Sequence, residues 1–95
     1  MLIIAGHLIL APSDRDLFVD GHLDLIKLAR QAPGCLDLAI SADPVDATRV
    51  NNYELWKDEE SLAAWRKLAN PPQLNIDFHG GDMLKYHIET TGPVF

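Results

Sequence analysis

The sequence lacks several features that mark large classes of protein. Its single cysteine, Cys35, rules out an intrachain disulfide, and no CxxC or Cys/His spacing typical of a metal site is present. Only 8 lysine and arginine residues stand against 14 acidic ones, which gives a net charge of −6. The few basic residues are scattered, and this argues against nucleic acid and anionic membrane surfaces as partners. The length of 95 residues predicts one domain, spanning residues 1–95.

Long apolar runs are also missing. The apolar N-terminal stretch, MLIIAGHLIL, is too short to span a bilayer and lacks the basic flank and cleavage site of a signal peptide. We interpret it as a strand and expect no membrane association. With one cysteine, the chain fits a reducing cytoplasm, which is the expected location. The histidines His7, His79 and His87 follow no recognisable ligand spacing, so we predict no metal site.

What the sequence does contain is a clear order of elements. Strands are predicted at residues 2–11, 35–43, 49–57 and about 82–91, one helix at residues 13–31 and a second from Asp58 to Ala69. The order is β-α-β-β-α-β. Because such crossovers are right-handed, it predicts an α+β, ferredoxin-like fold, with a four-stranded antiparallel sheet and both helices on one face.

The predicted strands and helices carry local signals. A capping-box-like pattern, Ser13 with Asp16, opens the first helix. Alternation in the second strand places Leu36, Leu38, Ile40 and Ala42 on one face and Cys35, Asp37, Ala39 and Ser41 on the other. The sheet face without helices is apolar enough to require cover. A second copy of the chain, packed sheet to sheet, is the simplest partner, so we predict a homodimer.

Two segments carry a family resemblance. APGCLDLAISAD, followed by VNNYELWKDEESLAAW, resembles the antibiotic biosynthesis monooxygenase family, and the resemblance extends from Leu2 to about Ile88. It implies a dimeric α+β barrel. Members of the family include cofactor-free oxygenases of aromatic polyketides, quinol oxygenases and haem-degrading enzymes, so the resemblance is more specific for fold than for reaction.

The resemblance also implies a site. Polyketide oxygenases of this family line their pocket with an Asn and a Trp four residues apart on the third strand, and Asn52 and Trp56 match that pair. The implied reaction uses no cofactor: a phenolic or anthrone-like substrate loses a proton, and its anion reduces O₂ to a peroxide that collapses to a quinone. An Asn amide can donate to the anion, and a Trp can pack against a flat ring. The alternative is that Trp56 belongs to the core and Asn52 pairs with backbone.

Further candidates come from the helices and the last loop. His22 lies within the apolar arc of the first helix, where it is either a satisfied core residue or a pocket acid or base alongside the Asn and Trp. The candidate substrate contacts are Phe18, Trp65, Phe78 and His79, with Trp65 alternatively a core residue and Phe78 at the pocket mouth.

Two other functions remain open. A haem-degrading enzyme of this family places an axial His shortly after the second helix, where this chain has Ala69-Asn70-Pro71-Pro72. A non-catalytic dimeric barrel that binds a small apolar ligand would need no polar group near the Trp. We therefore expect a monooxygenase of a small aromatic substrate, without cofactor or metal, and keep these two as alternatives.

Overall fold

Four strands and three helices make up the chain. The computed structural model describes residues 1–95. Its elements are β1 (Leu2–Leu10), α1 (Pro12–Gly21), α2 (Leu23–Gln31), β2 (Cys35–Ala42), β3 (Arg49–Trp56), α3 (Glu59–Leu68) and β4 (Phe78–His87). None of the helices combines the length and the apolar character needed to cross a membrane.

The strands form one antiparallel sheet in the order β2-β3-β1-β4. Side chains on the helix-covered face form the larger core cluster: Leu2, Ile4, Leu38 and Trp56 from the sheet pack with Ile26, Ala29 and Leu62 from the helices. Both crossovers therefore lie on the same face. The predicted ferredoxin-like fold is confirmed.

The first predicted helix is in fact two helices. The structure ends α1 at Gly21 and begins α2 at Leu23, with His22 between them at φ −95° and ψ 0°. Glycine has a low helix propensity, which favours a helix break at this point. The predicted capping box is also wrong: Ala11 is the N-cap, no side chain caps the helix, and Pro12 takes the first helical position.

A β-bulge reverses part of the predicted alternation in β2. The pairing with β3 shifts between Cys35 and Asp37, so that Cys35 lies opposite Trp56 and packs against the core. Leu36, the extra residue, is 53% exposed. A bulge places two residues opposite one and therefore moves the residues before it to the other face.

The last strand begins four residues earlier than predicted and also ends earlier. Phe78 pairs with Leu10 across an irregularity in the β1–β4 register. The sequence suggested a Gly-rich loop here, but Gly80 and Gly81 lie within the strand. Residues 69–77 form the loop between α3 and β4.

The Pro33-Gly34 turn rests against the start of α3. Gly34 has φ +82°, and a Cβ atom at this position would overlap the side chain of Ser61. Asp58 caps α3 by accepting hydrogen bonds from the backbone N–H and the hydroxyl of Ser61, at 2.8 and 2.7 Å. The turn and the cap thus fix where the second crossover begins.

The opposite face of the sheet carries no helix. Its side chains include Ile3, Tyr53 and Leu55, which are partly buried by their neighbours. Leu84 and Tyr86 of the edge strand β4 are 54% and 50% exposed. We refer to these five residues as the open sheet face.

Candidate functional site

The predicted pair on β3 lies on the helix-covered face of the sheet. Asn52 and Trp56 alternate with outward-facing neighbours and share their face with Val50 and Glu54. The shared face follows from the two-residue period of a strand. Two neighbouring asparagines therefore have different surroundings: Asn51 faces the other side, where it donates to Asp43 at 2.8 Å.

Trp56 is a core residue with a satisfied N–H group. Its side chain is fully buried and stacks on Trp65, with 6.4 Å between ring centroids and 28° between ring planes. The indole Nε1 donates to Glu54 Oε1 at 3.0 Å. The position of the ring thus agrees with the alternative reading of Trp56 as core, and its role toward a ligand stays a prediction.

Asn52 lies between the two core clusters of the protein. The larger cluster reaches Trp56, and the smaller one consists of Leu10, Phe18 and Val50. The Asn52 amide donates from Nδ2 to Glu54 Oε2 at 3.4 Å, and its Oδ1 accepts no hydrogen bond within the protein. Gly6 lies opposite on β1, so no side chain covers the floor of the sheet beside the amide.

The junction of α1 and α2 holds His22 in one tautomer. Its Nδ1 lies 2.7 Å from the carbonyl oxygen of Phe18. A carbonyl only accepts, so Nδ1 carries the proton and Nε2 of the neutral ring keeps a lone pair. His22 is 8% exposed, yet no unpartnered polar side-chain atom is sealed in the protein. Nε2 therefore remains accessible.

His22 lines a cleft between the first helix and the loop before β4. The cleft has a volume of about 310 Å³. Its walls are Phe18, His22, Pro71, Pro72, Leu74, Ile76 and Phe78. The rings of Phe18 and Phe78 meet edge to face, with centroids 5.8 Å apart, and Phe78 is 57% exposed at the opening. We call this space the His22 cleft.

The structure brings together some predicted site residues and separates others. Phe18, His22 and Phe78 share the His22 cleft. Asn52 and Trp56 do not line it; they form a separate group with Glu54. Two further predicted contacts lie elsewhere: Trp65 borders a second cleft of about 300 Å³ with Ala32, Pro33, Glu60, Ser61, Ala64 and Leu68, and His79 is exposed and lines neither cleft.

Sequence reasoning missed two sets of residues. Glu54 lies two residues from each member of the predicted pair, and strand parity placed it on their face, but it was not among the predicted site residues. The loop residues Pro71, Pro72, Leu74 and Ile76 are harder to place, since their position depends on how the loop folds back over α1. The alternation of Leu74, Ile76 and Phe78 was the available signal.

Cys35 is not an activated nucleophile. Burial raises the pKa of its thiol, and the nearby carboxylates of Glu54 and Asp37 raise this pKa further. The thiol therefore stays protonated at neutral pH. No group of three or more His, Cys, Asp or Glu side chains is arranged to hold a metal ion. Of the scattered histidines, His87 contacts Glu59 at 3.6 Å.

Fold and cleft define a small α+β protein with an aromatic-lined site between sheet, helix and loop. The model of the antibiotic biosynthesis monooxygenase family matches residues 1–70, and the chain belongs to this family. No curated protein matches it significantly.

Solved structures of the same fold come from several organisms. A proposed antibiotic biosynthesis monooxygenase from Nitrosomonas europaea has a TM-score of 0.70 and 17% identity, and the match covers 95% of this chain and 100% of the other. A counterpart from Deinococcus radiodurans has a TM-score of 0.71 and 16% identity, with 100% and 99% covered. The heme-degrader MhuD from Mycobacterium tuberculosis, with two hemes bound in its active site, has a TM-score of 0.68 and 11% identity, with 98% and 100% covered. At these identities the likeness shows the fold alone.

Proposed function

We propose that this protein is a cofactor-independent monooxygenase that oxidises a phenolic, quinol or polyketide-like aromatic substrate with O₂ in the His22 cleft. The observation that carries the proposal is the accessible Nε2 of His22, held beside two aromatic rings in an otherwise apolar cleft. Family membership supports the reaction type.

The first step is removal of a proton from the substrate. The Phe18 carbonyl keeps the Nδ1 proton in place, so Nε2 is the nitrogen that accepts a proton from a phenolic O–H or an anthrone C–H. The imidazolium that forms remains hydrogen-bonded to the same carbonyl. Histidine is suited to this role because its proton affinity is matched to neutral pH.

The remaining steps need only the substrate anion and O₂. The anion transfers one electron to O₂, and the two radicals combine into a peroxide at the ring carbon. After proton return from His22, the peroxide loses water. One oxygen atom becomes the new carbonyl and the other leaves as water, so each turnover consumes one O₂. Apolar walls such as Pro72 and Ile76 limit the access of water to the anion.

The same proposal includes a homodimer and a cytoplasmic location. The open sheet face supports a homodimer packed sheet to sheet, because exposed Leu84 and Tyr86 extend an apolar surface over the edge strand. The single cysteine supports a cytoplasmic location.

The main alternative is a non-catalytic barrel that binds a small apolar ligand. It is favoured by the composition of the His22 cleft, in which His22 is the only side chain with a polar group. Haem degradation, the activity of the heme-degrader MhuD, has less support: the loop of residues 69–77 that follows α3 contains no His, and His79 lies outside the cleft.

Anthrone and a dihydroxynaphthalene test the proposal. The purified protein is mixed with each compound in an oxygen electrode, and binding is followed separately by NMR. We expect saturable O₂ consumption, one O₂ per quinone formed, and shifts of Phe18, His22 and Phe78 resonances. Binding without O₂ consumption would favour the non-catalytic alternative, and an absence of binding would overturn both.

A further inference from the structure

A β-bulge near the start of β4 sets the direction of Phe78. Phe78 pairs with Leu10 on β1. The next pair is formed by Gly80 and Ile9, so His79 is an extra residue without a partner on β1. Such a residue moves those before it to the other face of the sheet. Phe78 therefore lies on the helix-covered face with Leu10, although regular alternation would have kept it on the face of Gly80.

The packing of the core does not account for this placement. Phe78 is 57% exposed, whereas its partner Leu10 is fully buried. It belongs to neither core cluster. Its ring meets Phe18 edge to face at 83° and lines the His22 cleft. The bulge thus brings an aromatic ring to the opening of the cleft without burying it.

The loop wall of the cleft is held close to the first helix. Leu74 lies against Gly21 at the end of α1, where an added Cβ atom would come within 3.1 Å of the Leu74 Cδ1. Glycine permits such a close approach of side chain to backbone. Pro71 and Pro72, which also line the cleft, have restricted backbones. The fold therefore fixes the width of the cleft, and Phe78 borders its length.

The His22 cleft is short between its inner end and its opening. His22, which is 8% exposed, lies at the inner end, and Phe78 lies at the opening. Phe18 contacts both rings, with its centroid 4.1 Å from that of His22 and 5.8 Å from that of Phe78. These two steps bound the space between the base and the opening to about the length of two fused aromatic rings.

We propose that Phe78 is a specificity-determining residue that limits the length of the aromatic substrate, measured from the group that meets His22, to two fused rings. This deepens the proposed function and rests on it. A longer ring system would have to displace Phe78 from its contact with Phe18. Anthrone meets the limit, because its reacting carbon is in the central ring and the opposite carbonyl is only one ring away.

Two phenols that differ by one ring test the limit. 2-Naphthol and 2-anthrol carry the same hydroxyl group at one end of a linear system of two and three rings, and their fluorescence allows both dissociation constants to be measured. The wild-type protein should bind 2-naphthol roughly tenfold more tightly, because an oversized group forces its neighbours out of place. A cleft without the limit would bind 2-anthrol more tightly, since the third ring adds apolar surface.

Three variants assign the limit to Phe78. Phe78→Ala should reverse the preference in favour of 2-anthrol, and Phe78→Leu should give an intermediate ratio. Because the ring is more than half exposed, both variants should fold, as circular dichroism can verify. Phe95→Ala, which removes an exposed ring from the C-terminal segment, is the matched control and should keep the wild-type preference.

Three results would overturn the inference. The first is a wild-type protein that binds 2-anthrol at least as tightly as 2-naphthol, and the second is failure to bind either phenol. The third is a wild-type preference in folded Phe78→Ala, or in Phe78→Leu if the alanine variant does not fold. Binding requires no O₂, so a protein that shows the expected preference but consumes no O₂ would contradict the oxygenase proposal alone.

Discussion

Phe18 and His22 lie one helical turn apart, with 4.1 Å between their ring centroids and a 2.7 Å hydrogen bond from the imidazole Nδ1 to the Phe18 carbonyl. The contact fixes both the tautomer and the direction of the imidazole. It arises at the place where α1 ends, because the last turn of a helix leaves carbonyl groups without backbone partners. The helix break thus supplies the acceptor that frees Nε2 for chemistry.

Trp56→Ala should destabilise the protein strongly. The ring is fully buried against Trp65 and the larger core cluster, and its loss also leaves the Glu54 carboxylate with one partner fewer. We expect a loss of roughly 3 kcal/mol in the free energy of unfolding, measured by urea denaturation at a fixed protein concentration. Trp56→Phe, which keeps a ring but removes the N–H group, should cost less. Equal stability of Trp56→Ala and wild type would show that the ring is not part of the core.

Gly34→Ala should be destabilising through backbone strain. Gly34 has φ +82°, and the added Cβ atom would overlap Ser61 at the start of α3. The strained backbone alone is worth about 1–3 kcal/mol. Gly92→Ala is the matched control, because no atom lies within 4 Å of its added Cβ. In thermal unfolding, Gly34→Ala should have a lower melting temperature than Gly92→Ala. Equal melting temperatures would contradict the described conformation of the turn.

The free energy of unfolding should fall in acid, in part because the Asp43 carboxylate becomes protonated. Hydrogen bonds from the Asn51 side chain and from the backbone of Asp46 and Val45, with the charge of Arg49, lower the pKa of this carboxyl from 3.8 to about 2. The folded-state pKa lies below the unfolded one, so the contribution is present above about pH 4 and is lost as the pH falls toward 2.

The Asp43 effect can be followed by titration. NMR of the Asp43 carboxyl should give a midpoint well below that of an ordinary aspartate, and Asp43→Asn should flatten the decline of stability in this pH range. Asn51→Ala should move the Asp43 midpoint upward, because the largest cause of the lowered pKa is then removed. An unmoved midpoint in Asn51→Ala would contradict this explanation.

The open sheet face should form a dimer interface. Light scattering at micromolar concentration should give twice the mass of one 10.6 kDa chain, with a total buried surface on the order of 1,500 Å² or more. Leu84→Lys should produce monomers, because it places a charge in the interface. Leu17→Lys, similarly exposed but on α1, should leave the dimer intact. A monomeric wild-type protein would contradict the proposed dimer.

The fold was predictable because its periodicity is strong and its connections are short. The features of the fold that the sequence did not predict depend on tertiary packing. The break at Gly21 and the bulge at Leu36 each depend on how the adjoining segment docks, and single residues within a periodic pattern carry little signal for either. The β4 boundary was missed because Gly80 and Gly81, typical of a loop, here pair with β1.

The site was predictable in part for the same reason. Strand parity placed Asn52 and Trp56 on one face, and the helical arc turned His22 inward, as the structure shows. The separation of Asn52 and Trp56 from the His22 cleft could not be predicted from the pattern, since the cleft depends on the loop of residues 69–77 folding over α1. Whether the two groups act on one substrate stays a prediction.

The most direct measurement compares O₂ consumption by the wild-type protein and His22→Asn with anthrone as substrate. Asparagine can keep a donor to the Phe18 carbonyl but lacks Nε2, so the junction of α1 and α2 should stay folded, as circular dichroism can verify. We expect the rate to fall at least roughly 10²-fold, the usual worth of a general base, while anthrone binding changes little. A folded His22→Asn protein that consumes O₂ at the wild-type rate would contradict the assignment of His22 as the base.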